Sequence, residues 1–483
     1  VRLLITLFFC ATICEQPDVD ASRSVEDLRR FDREAGEGAR GYQWLRWSTD
    51  AIGHRLTGSP QGARAERAAD SLFRISGLDH VERMPFSAEV WTRAHLQVHV
   101  TVGTEVREVR AVALANTPVA ADVHAPLVDA GNGLEADLDA VGDALRGAMV
   151  LMNLRLVNAP AGARNLHRSM KVALARQRGA AGVVFVNQVE GGVLLTGTAS
   201  LDGEQTDIPA VCIGLEDGAA LRAALAEGRT PTAHITMRNH RGPVQAHNVV
   251  AQITGSRWPD EVIVVGGHLD SWDLATGAVD NGIGAFSVLD LARAMVAAGV
   301  RPERTVRFVL FMGEEQGLLG SRAFVDHYRR TGELERVRCM INLDMSGSPQ
   351  GFGVAGPEGW SDQLGTICAA MRMEDSTHFA GRTSEEVWLH SDHQPFLLAG
   401  VPVLYPLSDL GAAVYACYHS DCDDIQLVDP RAMVDNVRRV GRLVLELAAT
   451  PALPPTFTPE QLRTRLQRAG LEQELRVSGE WPW

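Results

Sequence analysis

From His247 onward the chain repeats one unit: a short, largely apolar run, a loop, then a stretch with helical spacing. Val262-Ile-Val-Val265 runs into Gly266-Gly-His-Leu-Asp270, and a helix is predicted over residues 284–298. Val306 to Met312 runs into Gly313-Glu314-Glu315 ahead of a helix over 317–328, and Val337 to Leu343 runs into Asp344. Strands this apolar have no solvent face, which predicts an α/β fold: a largely parallel mixed sheet with helices on both faces. In such open sheets ligands bind in the crevice beyond the carboxyl ends of the strands. His268, Asp270, Asp280, Glu314, Glu315 and Asp344 are therefore offered to one region, and the later segment Cys417-Tyr-His-Ser-Asp-Cys-Asp423 adds His419.

The upstream half has a different character. Residues 24–77 have helical spacing around Trp44, Leu45, Trp47 and Ile52, interrupted by the turn-rich Gly53-His-Arg-Leu-Thr-Gly-Ser-Pro60. Residues 90–113 alternate polar and apolar, as antiparallel strands do. From about Thr117 to His240 the chain is rich in Ala, Gly and Val, with strands predicted at 148–152 and 183–186 and a helix at 170–177 between them, a compact α/β insert. The expected division is a leader at 1–20, a first segment of the main domain at 21–117, the insert at 118–244, the part of the main domain that bears the candidate site at 245–450 and a tail at 451–483. Leu462, Leu466 and Leu471 predict an amphipathic helix in that tail.

A length of 483 residues suggests about two to four domains. The net charge of −14 and the lack of a basic run argue against nucleic acid, which is bound by clustered Lys and Arg. Residues 1–14 carry one positive charge and then an apolar stretch too short to span a bilayer, which reads as an export signal to the periplasm or the cell exterior. No later segment reads as transmembrane. With Cys10 and Cys14 removed in that leader, Cys212, Cys339, Cys368, Cys417 and Cys422 remain, an odd number that rules out complete pairing within the chain. Cys417 and Cys422 are close enough for a small loop in an oxidising compartment.

The candidate site has a coherent chemistry. Two imidazoles and several carboxylates form a hard-to-borderline N/O set suited to zinc, with no thiolate set for a structural ion. A dinuclear centre needs a carboxylate that reaches both ions, and Asp280, in the turn Gly277-Ala-Val-Asp-Asn-Gly282, is the candidate bridge. Asp270 stands two residues after His268, where it can accept the other imidazole N–H and fix the tautomer. In the pair Glu314-Glu315, one carboxylate can bind a metal while its neighbour, aimed differently, acts as a base. Singly, each residue has an ordinary explanation as a turn former, cap or loop residue. Their joint order and placement meet the needs of a metal site.

The segments Gly266-Gly-His-Leu-Asp-Ser-Trp-Asp273, Gly277-Ala-Val-Asp-Asn-Gly282 and Gly313-Glu-Glu-Gln-Gly317 resemble the co-catalytic zinc exopeptidases that include bacterial leucyl aminopeptidases and carboxypeptidase Q. Residues 171–186, 208–213 and 216–218 resemble the protease-associated domain inserted in several exported members. The resemblance implies two zinc ions per chain, one on His268, Asp280 and Asp344 and one on Asp280, Glu315 and His419. It implies Glu314 as general base, Tyr418 as the group stabilising the tetrahedral intermediate, and a Cys417–Cys422 disulfide. Asn281 departs from the pattern, since many relatives carry a second Asp after the bridge. The expected substrate is a short peptide or dipeptide cut at its terminus in the carboxypeptidase Q manner, with a secreted aminopeptidase as the alternative. A catalytically silent receptor-like module and a glutaminyl cyclase-like acyltransferase are the readings from other classes. Oligomeric state stays open, with a homodimer among the outcomes.

Overall fold

The computed structural model describes residues 21–483; the expected export signal at 1–20, with Cys10 and Cys14, lies outside them. Strand Trp258–His268 is central to the C-terminal part, parallel to Arg304–Phe311 on one side and to Val337–Asn342 on the other. Val403–Pro406 continues the parallel run beside Val337–Asn342, and Gly351–Ala355 lies antiparallel beyond it. The largely parallel arrangement expected from the apolar runs is thus present, within a mixed sheet.

Side-chain alternation explains why these strands are apolar throughout. Ile263, Val265, Val306, Phe308, Leu310 and Ile341 face a core formed with helices Ala21–Glu37, Pro60–Ile75, Gly284–Ala297 and Pro430–Ala449. Their neighbours Val262, Val264, Val309, Phe311 and Met340 face the opposite core, under Leu319–Thr331 and His393–Leu398. Each strand buries both its faces, which is why both sets of positions are apolar. The tail closes the second core: helix Pro459–Arg468 buries Leu462 and Leu466, and Leu475 joins them from Glu472–Val477.

A second, smaller parallel sheet is built from Met149–Asn153, Gly182–Val186 and Ala210–Ile213, flanked by Ala120–Asp129. It joins the first through one two-stranded ribbon. Asp79–Val102 and Thr232–Ile253, of 24 and 22 residues, pair antiparallel from Glu82 opposite Val250 to Thr101 opposite Thr232. Residues 249–253 of the ribbon pair with Arg304–Phe311 in the large sheet, while 232–238 pair with Ala120–Asp129 in the small one. The sheet is therefore continuous across both parts. The division expected at 244/245 falls inside Thr232–Ile253, which stays in the ladder through Gly242 and Pro243, the latter opposite Glu89.

Among the described residues no helix is long and apolar enough to cross a membrane.

Candidate metal centre

The carboxyl ends of three adjacent strands deliver the site. His268 ends Trp258–His268, Glu314 and Glu315 follow Arg304–Phe311, and Asp344 follows Val337–Asn342. The strands approach closely there: a Cβ on Gly267 would lie 2.4 Å from the Leu343 carbonyl, so only glycine fits before the histidine. Buried Arg55 pins the loop that follows, its guanidinium donating to the carbonyls of Leu269, Thr276 and Gly277 at 2.6–2.7 Å. Asp423 fixes the next turn by accepting the backbone N–H groups of Val279 and Asp280 at 2.8 and 2.9 Å.

Asp280 occupies the middle of the site. Its Oδ1 lies 3.3 Å from His268 Nε2 and its Oδ2 lies 3.1 Å from His419 Nε2, one oxygen for each imidazole. Asp344 Oδ1 is 3.5 Å from His268 Nε2, and Glu315 Oε2 is 3.0 Å from His419 Nε2. Each imidazole thus has two carboxylates beside it, His268 with Asp280 and Asp344 and His419 with Asp280 and Glu315, while His268, Asp280 and Glu315 also offer donor atoms all within 4.8 Å of one another. A tetrahedral ion with bonds of about 2.0 to 2.1 Å spaces its donors about 3.3 Å apart, close to these separations. Buried Asp280 Oδ2 and Glu315 Oε1 lack any hydrogen-bond donor. Buried carboxylate oxygens without donors are costly, and a divalent cation satisfies them. The residues present fit such a cation.

Glu314 stands apart from both groups. Its Oε2 is 4.0 Å from His268 Nε2, longer than the donor spacing, although it lies within 4.8 Å of the His268 and Asp344 donors. Asp270 differs from its expected role: the His268 Nδ1 partner is the Asp270 main-chain carbonyl at 3.1 Å, with the carboxylate 3.7 Å away. That carboxylate is turned to accept the Glu314 backbone N–H at 3.2 Å, so Asp270 fixes the His268 tautomer with one group and Glu314 with the other. The phenol ring of Tyr418 is stacked on His419, centroids 3.9 Å apart. Cys417 and Cys422 are joined by a disulfide across this loop, while Cys212, Cys339 and Cys368 are buried free thiols.

The electrostatics follow from crowding carboxylates in a buried place. Burial pushes the Glu314 carboxyl well above its usual range, with Glu315 and Asp344 adding to the effect against the opposition of His268. Glu315 is pushed up to about 7 by burial, opposed by His419. For Asp280 burial acts upward too, but the close approach of the His268 and His419 imidazoles holds it below the ordinary carboxylate range. Burial pulls His419 down, yet Glu315 and Asp280 overcome this and raise it to about 9. A divalent cation among these groups reverses the balance by stabilising every carboxylate.

Several further residues brace the donors. Ser391 donates to Asp344 Oδ2 at 2.6 Å, and Asp423 and Arg55 brace loops far from themselves in sequence. Asn281 has a physical reason to be an amide: its Nδ2 donates to the Leu343 carbonyl at 2.8 Å, while its Oδ1 accepts from Gly284 and Met345 at 3.2 and 3.0 Å. An aspartate cannot make the first of these bonds. The insert also reaches the site. Leu195 forms a β-bridge with Ser420, Thr196 N–H donates to the His419 carbonyl at 2.8 Å, and Asp421 accepts from Leu194 N–H at 3.1 Å.

An open α/β sheet that gathers imidazoles and carboxylates at its carboxyl edge defines the architecture of a metallohydrolase. Residues 248–447 match the model of peptidase family M28 and residues 123–221 that of the PA domain, so the chain contains an M28 peptidase region and a PA domain. Carboxypeptidase Q of Bos taurus is 24% identical over 425 residues, covering 86% of each chain. Among solved structures, the peptidase M28 precursor of Shewanella amazonensis superposes with a TM-score of 0.78 at 23% identity, covering 90% of this chain and 99% of that one. The aminopeptidase of Aneurinibacillus sp. strain AM-1 has a TM-score of 0.63 at 26% identity, covering 89% and 98%.

Proposed function

We propose that this chain is a zinc-dependent exopeptidase with a dinuclear centre, which hydrolyses the terminal peptide bond of short peptides or dipeptides in the manner of carboxypeptidase Q. The observation that carries this reading is the placement of Asp280, with one carboxylate oxygen facing His268 and the other facing His419. His268, Asp280 and Asp344 would hold one zinc and His419, Asp280 and Glu315 the other, each leaving a coordination position for substrate or water. Imidazole and carboxylate donors without thiolate favour zinc among the biological divalent ions. Bound zinc supplies Lewis acidity to the scissile carbonyl and acidifies water near neutral pH.

The protein's own groups do the remaining work. Glu314 takes the proton of the attacking water and passes it to the leaving amine, a role its offset from both donor groups leaves open. The Tyr418 hydroxyl donates to the oxyanion that develops on the carbonyl. Asp270 keeps His268 and Glu314 oriented. The same reading takes residues 21–117 and 245–450 as the peptidase body, 118–244 as the insert and 451–483 as a closing tail. The disulfide suits an oxidising compartment and so supports export.

Glu314→Gln provides the test. Turnover of dipeptides should fall about a thousandfold while zinc content, measured by elemental analysis, stays at two ions per chain. Loss of zinc from that variant would make Glu314 a ligand and overturn its assignment as base. A wild-type chain that binds one zinc and cyclises N-terminal glutamine without cleaving peptides would overturn the peptidase mechanism.

A further inference from the structure

Three histidines stand in one row on the solvent face of the ribbon, where the first strand of the PA region joins it. His99 of Asp79–Val102 is opposite His234 of Thr232–Ile253, and His234 is opposite His124 of Ala120–Asp129. Residues directly opposite one another in antiparallel strands project to the same face. The alternate residues Val98, Val100, Ala233, Ile235 and Ala125 fill the core on the other side. His124 and Asp122 are exposed and His234 is partly so.

The register decides which two imidazoles are closest. Leu127 N–H donates to the Pro231 carbonyl and Asn239 N–H to that of Val119, both at 2.8 Å, so the hydrogen-bonded pairs of this ladder fall on odd residues. His124 and His234 are therefore a non-hydrogen-bonded pair, the kind whose side chains approach most closely. Their rings lie edge to face with centroids 5.8 Å apart. Asp122, two residues along the same face, places Oδ1 2.6 Å from His234 Nε2. His99 faces His234 across the other edge, at a hydrogen-bonded and hence wider position.

The surrounding positions on this face hold Thr101, Thr232, Thr236 and Gln97, ordinary residues of a solvated strand. Two imidazoles on adjacent strands with a carboxylate beside them are a borderline N/O donor set of the kind that takes zinc, nickel or copper. Among the described residues, the groups whose donors already converge within 4.8 Å belong to the buried centre. The surface set closes by rotation of one exposed side chain. His124 Nε2 lies 3.1 Å from Thr232 Oγ1, and water replaces that bond when the ring turns to the His234–Asp122 pair.

We propose that His124, His234 and Asp122 form a further metal site, which takes one divalent ion of the zinc class and ties the strand Ala120–Asp129 to the ribbon. It is separate from the buried centre and independent of the peptidase reading.

The test uses the full chain without an affinity tag, its buried centre loaded with zinc. After equilibrium dialysis against excess zinc, elemental analysis should find one more ion per chain in the wild type than in His124→Gln or His234→Gln. Both variants should keep the ions of the buried centre and the wild-type turnover. Calorimetric titration of the loaded chain with nickel should give a one-site isotherm in the wild type and none in either variant, while His99→Gln should retain it. His378→Gln is the control, since His378 and Asp375 form an exposed pair at 2.9 Å within a separate loop, and its extra ion should remain. Equal ion content in the wild type and both row variants would overturn the site, as would loss of the extra ion in His378→Gln. The difference in count is read whether or not the chain cleaves peptides, so failure of the peptidase reading leaves this test intact.

Discussion

The two parallel sheets of this protein share one construction and differ in what stands at their strand ends. In the large sheet the strands run out into His268, Glu314, Glu315 and Asp344. In the small one they run out into Asn153, Asn187 and Gly214. There the amides satisfy local partners: Asn153 Nδ2 donates to Asn132 at 3.0 Å and Asn187 Nδ2 to the Val193 carbonyl at 3.0 Å. Both sheets provide the crevice that their topology dictates. The first fills it with imidazoles and carboxylates, whereas at the lip of the second the Asp129 carboxylate is paired with Arg222. The crevice is generic, and function is decided by the few residues placed at its lip.

The contrast can be broken at its centre. Asp280→Ala removes the carboxylate shared by both imidazoles, so elemental analysis should find both zinc ions depleted and peptide turnover lost. Retention of two ions would mean that the donor groups are independent and would sink the shared-carboxylate reading.

Asn281→Asp probes the frame beneath that bridge. It removes the bond to the Leu343 carbonyl and introduces a buried charge, at a cost of about 3 kcal/mol in denaturant unfolding. Zinc content should change little, because Asn281 turns its side chain to the backbone and away from the donors. Strong zinc loss would show that frame and centre are coupled.

The smallest effect belongs to the insert. Asn187→Ala, at the equivalent strand end, should cost about 1 kcal/mol in thermal unfolding and leave zinc content and kcat unchanged. A fall in kcat would mean that the small sheet carries chemistry of its own.

Legibility in the sequence followed distance along the chain. The parallel strands and their alternating helices were readable because each strand announces itself by its own apolar run. The ligand candidates were readable because each follows such a run or sits in a short turn beside it. Arg168 lies in a polar stretch of the insert with no local pattern, and meets His419 across a separation of 251 residues. Asp423 meets Asp280 across 143, and no periodicity marks either partner. Asp270 was singled out by its spacing from His268, yet spacing does not say whether its side chain or its carbonyl meets the ring. The insert boundary was blurred because the change in composition near His240 falls within a strand that the ladder carries through.

That ladder also limits how the molecule can move. Parts tethered by flexible linkers swing freely, but here a pair of strands more than twenty residues long runs from one part into the other, about 70 Å of cross-braced beam. A second fastening is the bridge from Leu195 to Ser420, beside Thr196, which accepts from Arg93 of the beam at 2.9 Å. Fastened twice, the insert is braced against the metal centre and does not hang from a hinge. Admission of substrate then falls to side chains and loop tips, and the beam's register shift between Arg93 and His95 is the joint at which any larger flexing would concentrate.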